Sequence, residues 1–320
     1  MFFEVNSVTK RYGKKTVLDD ISFAVDTGDI VTIIGPSGVG KTTLLKIVAG
    51  LEKPSSGGIS YEVQPAREHP VILVFQDFIL FPNLTVFENI AFGLHARNIE
   101  KSEIEEKVSS MLGYFNIYDK RDSYPNSLSA GQQQRVAIAR AMVVNPSVLL
   151  LDEPFAHLDK NLRLETAEFI RMTQKSFGVT TVSVTHDLEE AFAMSDKIGI
   201  MLDGKLIQYD SVEKIYFQPN TLDVAQFLGP VNIIPEQLYV ELEVPQEFCE
   251  KRGPVYVRAE AINIERSTHG SGRVKEVCFI GVLILYKVEV KGSLFSVYSL
   301  ENGIEAGDRV RLTVSKHLCA

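Results

Sequence analysis

Up to about residue 230, short apolar runs alternate with stretches of helical spacing. The runs at residues 21–25, 30–34, 71–75, 148–151, 181–184 and 198–202 are too short for helices and are bounded by turn formers, as strands are. The last continues through Asp203-Gly204 into residues 205–209, a hairpin signal. Capping boxes mark three helix starts: Thr85 with Glu88, Ser129 with Gln132, and Asp187 with Glu190. Asn145-Pro146 stops the helix after Ser129 near Val144. Strands alternating with helices predict an α/β fold built on a largely parallel sheet covered by helices.

Beyond residue 230 the pattern changes. Pro230, Pro235, Pro245 and Pro254 punctuate a linker-like stretch. Alternating runs at 256–260, 274–279, 283–290, 294–300 and 309–314 then read as antiparallel strands, with turns at Gly292-Ser293 and Gly307-Asp308. The expected organisation is an α/β domain over residues 1–230 and a small all-β domain over 231–320, barrel-like so that its edges close.

Composition narrows the function classes. The longest apolar run, near residues 277–286, falls short of the roughly 18 residues of a membrane-spanning helix. Met1-Phe2-Phe3-Glu4 carries no basic leader, so the expectation is a cytosolic protein that meets a membrane through partners. A net charge of −8 disfavours a nucleic-acid partner. Cys249, Cys278 and Cys319 lie far apart, without the spacing of a zinc site or disulfide framework, and read as buried or incidental thiols.

Chemistry concentrates in three segments. The first, Gly35-Pro36-Ser37-Gly38-Val39-Gly40-Lys41-Thr42, with Thr43 next, follows an apolar run and opens a helix at 43–48. Its glycines let backbone N–H groups turn around phosphate oxygens, and the helix N-terminus adds a positive dipole end. Lys41 can reach the outer phosphates of a nucleoside triphosphate and Thr42 can ligate Mg2+. In the second segment, an apolar strand ends in Asp152-Glu153-Pro154. Two adjacent carboxylates there are costly to desolvate without a cation or proton, so Asp152 suits Mg2+, directly or through water. Glu153 suits the γ-phosphate side, orienting or deprotonating the attacking water. The third, Leu128-Ser129-Ala130-Gly131-Gln132-Gln133-Gln134-Arg135, is a second anion-suited helix start, more than one nucleotide needs from one chain.

With Gln76, Asp159 and His186, these segments in this order resemble the nucleotide-binding subunit of an ATP-binding cassette (ABC) transporter, over the chain to about residue 230. The resemblance implies a P-loop NTPase domain with a helical signature subdomain, and ATP hydrolysis with Mg2+. It makes Tyr12 the aromatic that stacks on adenine. Gln76 becomes the loop glutamine that meets magnesium or water and moves with the permease. Ser129, Gly131 and Gln132 become signature residues contacting the nucleotide of the opposite subunit, Asp159 the loop joining the two halves, and His186 the switch histidine holding the γ-phosphate and water. Ala130 stands where the family most often has glycine.

Tyr124-Pro125-Asn126-Ser127 and the Gln-Gln-Gln-Arg run are similar to bacterial importer ATPases. Val257-Arg258-Ala259-Glu260, Gly272-Arg273-Val274 and Gly307-Asp308-Arg309-Val310 resemble the oligonucleotide/oligosaccharide-binding-like TOBE domain, with Ala259 in place of the usual proline. The implied assembly is a homodimer on the cytoplasmic face of the inner membrane. It is bound to permease subunits and served indirectly by a periplasmic or lipid-anchored substrate-binding protein. The implied cargo is ferric iron, an inorganic oxyanion or a polyamine. The aromatic segment 76–94 either docks the permease or forms a domain-packing core. Two other readings share the motifs: a soluble ABC ATPase outside transport, and an ATPase whose β domain chiefly senses a regulatory ligand.

Overall fold

The computed structural model describes residues 1–156, 160–249 and 253–318, and the expectation at Asp159 lies outside them. The chain divides into two compact units, 1–212 and 213–320.

The first unit runs β1 (Phe3–Tyr12), β2 (Lys15–Val25), β3 (Ile30–Ile34), α1 (Lys41–Val48), β4 (Ser56–Tyr61), β5 (Val71–Val74), α2 (Val86–His95), α3 (Lys101–Tyr114), α4 (Ala130–Met142), β6 (Val148–Asp152), α5 (Lys160–Phe177), β7 (Thr180–Thr185), α6 (Leu188–Met194), β8 (Lys197–Leu202) and β9 (Lys205–Ser211). Its main sheet has the order β5-β6-β7-β3-β8-β9, parallel except for the β8–β9 hairpin. Strands β3, β6 and β7 are buried at every position, which is why they read as continuous runs rather than alternating ones. Successive residues of β6 feed opposite cores. Leu149 and Leu151 pack with α2–α5, and Val148 and Leu150 pack with α1, β1 and β2.

A second, antiparallel sheet, β2-β1-β4, is absent from the expected strands except for residues 21–25. Its register shifts between Val5, Val8, Lys10 and Arg11, and Ser7 and Asp20 take positive φ. Bulges of this kind break the two-residue alternation that marks a strand in sequence. Strand β4, Ser-Gly-Gly-Ile-Ser-Tyr, has no alternation to detect.

The second unit contains α7 (Val212–Phe217, from Glu213), α8 (Leu222–Phe227), β10 (Val231–Ile234), β11 (Val255–Arg258), β12 (Ile262–Arg266), β13 (Gly272–Phe279), β14 (Ile284–Val290), β15 (Ser293–Ser299) and β16 (Arg309–Val314). Helices α7 and α8 lie before the expected boundary at 230 yet pack in this unit. Buried Arg258 accounts for it: its guanidinium donates to the carbonyls of Tyr216, Ala225 and Gly229. The five-stranded sheet has the order β12-β16-β13-β14-β15, and its end strands β12 and β15 lie against each other without hydrogen bonds between them among the described residues. Asn232 of β10 covers the β15 edge instead. Its amide donates to the Ser296 carbonyl at 2.7 Å and accepts from the Ser296 N–H at 2.8 Å, as a neighbouring strand would.

Candidate nucleotide site

Strands β6, β7 and β3 are neighbours and parallel, so their C-terminal ends share one edge of the sheet. The glycine loop follows β3, Asp152-Glu153 ends β6, and His186 follows β7. Segments more than a hundred residues apart thus converge at the edge where α/β sheets bind ligands.

The loop's shape requires glycine at two places. A Cβ at Gly35 would stand 2.3 Å from the Met201 carbonyl oxygen. At Gly40, with φ 113°, it would meet Leu18 and Val17 at 2.8 and 2.9 Å. Lys41 begins α1 and folds back over the loop, donating to the carbonyls of Gly35 at 2.7 Å and Pro36 at 3.0 Å. Burial lowers its pKa, while Glu153 and Asp152 oppose the shift. Thr42 donates to Asp152 at 2.9 Å. Burial raises the pKa of Asp152, the Thr42 hydrogen bond pulls the other way, and Glu153 adds to the rise. A buried acid beside a second acid, with a hydroxyl in contact, suits a divalent cation that uses one or two protein oxygens and takes the rest from phosphates and water. Among the described residues no three-residue cluster of His, Cys, Asp or Glu could hold a metal alone.

Glu153 sits at φ 45°, a left-handed conformation that costs a non-glycine residue about 1–3 kcal/mol. Its N–H donates to the Val184 carbonyl at 2.9 Å, and its carboxylate lies 3.3 Å from the His186 ring. The carboxylate and the imidazole therefore stand together. The expected capping box at α6 is half present: Asp187 caps Glu189 and Glu190, but the Glu190 carboxylate accepts from Thr185 at 2.6 Å instead of closing the box. Burial raises the Glu190 pKa, with Thr185 opposing. Sequence reasoning missed this buried brace behind His186 because the capping pattern explains the same residue.

Tyr12 ends β1 and is half exposed, its phenol donating to Glu52. That hydrogen bond raises its pKa, and the neighbouring Thr43 lowers it, so the ring stands beside the first turn of α1. Gln76 is exposed in the turn after β5. Ser129 caps α4 in a complete box with Gln132. Gly131 faces Leu162. Their hydrogen bonds tie Ser129 and Gln132 to each other, not to the loop at 35–42. The following side chains clamp the helix: Gln133 to Pro125 and Leu128, Gln134 to Pro154, and Arg135 to Phe115.

Beside the sheet, a cleft of about 380 Å³ is lined by Phe75, Ile79, Phe81, Phe92 and Arg140 among others. Phe75, Ile79, Phe81 and Phe92 are exposed, so part of segment 76–94 faces outward while Phe78, Val86 and Ile90 lie in the core.

A glycine loop, a strand-end acid pair and a histidine on adjacent parallel strands define a P-loop ATPase. Residues 18–156 match the ABC transporter family and residues 255–320 the TOBE domain. The chain is 39% identical to the Fe(3+) ions import ATP-binding protein FbpC of Photorhabdus laumondii, covering 98% of this chain and 95% of that one. It is 38% identical to the spermidine/putrescine import ATP-binding protein PotA of Spiroplasma citri, over 97% and 94%. A dimeric post-hydrolysis structure of the ATP-binding cassette MJ0796 with ADP and Pi superposes with TM-score 0.58 at 30% identity, over 66% of this chain and 98% of that one. The structure of cbiO1 from Clostridium perfringens, part of the cbiONQ complex, gives 0.62 at 31%, over 67% and 90%. The protein belongs to the ABC transporter family, as an ATP-hydrolysing import subunit with a C-terminal TOBE domain. Import subunits of this kind work with membrane permeases, and no helix among the described residues is long and apolar enough to cross a membrane.

Proposed function

We propose that two copies of this chain sandwich two ATP molecules, each between the loop Gly35–Thr42 of one copy and the Ser129–Gln132 segment of the other. In this reading Tyr12 stacks on adenine, and Gly35, Pro36, Ser37, Gly38, Gly40 and Thr43 surround the phosphates through backbone and hydroxyl groups. Lys41 neutralises the outer phosphates. Thr42, Asp152 and Gln76 hold Mg2+, which when bound neutralises charge on the phosphate oxygens. Glu153 takes a proton from the attacking water, while His186, 3.3 Å away, holds the γ-phosphate side of that water. Asp159 belongs to the contact between copies.

The supporting observation is the convergence of the β3, β6 and β7 ends on one sheet edge, with Glu153 held by Val184 at 2.9 Å. Closure of the sandwich drives permeases seated in the cleft at Phe75, Phe81 and Phe92, whose exposed aromatics suit apolar docking anchors. The subunit thus lies at the cytoplasmic face of the inner membrane. The ATPase extends over 1–230, with its last helices α7 and α8 packed in the second unit, and the β domain over 231–320. The cargo is ferric iron or a polyamine, the two named for relatives matched over nearly their whole length.

The test is Glu153→Gln. ATP affinity stays near wild type, single-turnover hydrolysis slows by about 10²–10⁴, and an ATP-bound dimer accumulates on a sizing column. Unchanged turnover removes Glu153 from the base role.

A further inference from the structure

Gln134 is fully buried on α4, five residues beyond the Ser129 cap. Its side-chain nitrogen donates to the Pro154 carbonyl at 2.8 Å. A carbonyl only accepts, so this contact fixes which end of the amide faces the loop. The other end, Oε1, is buried with no hydrogen-bond partner among the described residues. An orphaned buried acceptor is destabilising, and a leucine or methionine would fill the same space without it, at the loss of the bond to Pro154. Apolar packing of α4 does not account for a glutamine here.

Its contact does. Pro154 follows Glu153, whose left-handed backbone is held on the other side by the bond from its N–H to Val184. Glu153 is therefore fixed between β7, through its own N–H, and α4, through the carbonyl one residue on. Among the described residues, Gln134 is the α4 side chain that hydrogen-bonds to this strand end; Gln132, Gln133, Arg135 and Arg140 bond elsewhere. Ser129 begins the same helix. A shift of that helix start moves the Gln134 amide, and with it the loop that aims the carboxylate.

We propose that Gln134 is a positioning residue that couples the seat of the signature helix to the aim of Glu153, setting the rate of hydrolysis and not the affinity for ATP. This rests on Glu153 acting as the base. The nucleotide that Ser129 contacts and the base that Gln134 aims belong to different sites of the sandwich, so Gln134 ties each site's chemistry to occupancy of the other.

The experiment compares Gln134→Leu and Gln134→Met with wild type, each also combined with Glu153→Gln, in the full chain. Thermal midpoint, ATP affinity and single-turnover rate are measured for each. Both variants fold with midpoints near wild type, since the orphaned Oε1 they remove offsets the partner that Pro154 loses; they bind ATP within about twofold and hydrolyse it about 10- to 100-fold more slowly, the scale of a small misplacement of a reacting group. On the Glu153→Gln background the same substitutions add little, because the group they aim is gone. Wild-type turnover in Gln134→Leu and Gln134→Met, with Glu153→Gln impaired, overturns the coupling alone. So does a loss that runs parallel in midpoint and affinity, or one that multiplies fully on Glu153→Gln. Unchanged turnover in Glu153→Gln overturns both readings.

Discussion

Asp152 and Glu153 are adjacent in the chain and differ in what the fold does to them. Asp152 is buried and tied to Thr42, with its pKa raised by burial, whereas Glu153 turns through a left-handed backbone toward His186. An acid whose pKa is higher folded than unfolded holds its proton more tightly when folded, so stability falls as pH rises through the raised value. In nucleotide-free protein, Asp152→Asn, which keeps the Thr42 contact and cannot ionise, has little thermal-midpoint advantage in acid. It gains one as pH rises above the ordinary carboxylate range toward neutrality. A gap that stays flat across that range places the raised proton affinity on another group.

Elements here are held by side chains that imitate backbone. Asn232 serves the β15 edge as a strand would, and Gln134 serves the strand-end loop as an amide of the backbone would. Asn232→Ala leaves the N–H and C=O of Ser296 without these partners and lowers the stability of the 213–320 unit by about 1–3 kcal/mol, read from the denaturant midpoint of that unit's transition. Asn232→Asp retains only the accepting half and falls on the same side. A midpoint unchanged in Asn232→Ala means that water replaces the amide at no cost.

At the scale of the whole molecule, the hydrogen bonds of Lys41 stay within the loop 35–42 and those of Ser129 and Gln132 stay within the cap among the described residues, which is compatible with the proposed two-copy site. On the proposed reading, Lys41→Ala removes charge-assisted hydrogen bonds to phosphate, and Ser129→Arg obstructs the cap. Each variant alone is inactive. Mixed, they form dimers in which one site carries both lesions and the other carries none, so part of the ATPase activity returns. A mixture that neither hydrolyses ATP nor forms a nucleotide-bound heterodimer means that Ser129 does not act across the dimer.

Taken alone, the sequence determined what depends on neighbours in the chain. The buried runs at β3, β6 and β7, the caps at Thr85 and Ser129, the glycine loop and the acid pair are local patterns, each forced by backbone or burial chemistry. Tertiary structure decided what depends on distant partners. The bulged β1–β2 pairing, the edge covered by Asn232 and the reach of Gln134 to Pro154 leave no periodic trace. A hydrogen bond between residues far apart in sequence is set by strand order and helix packing, which a local pattern does not carry.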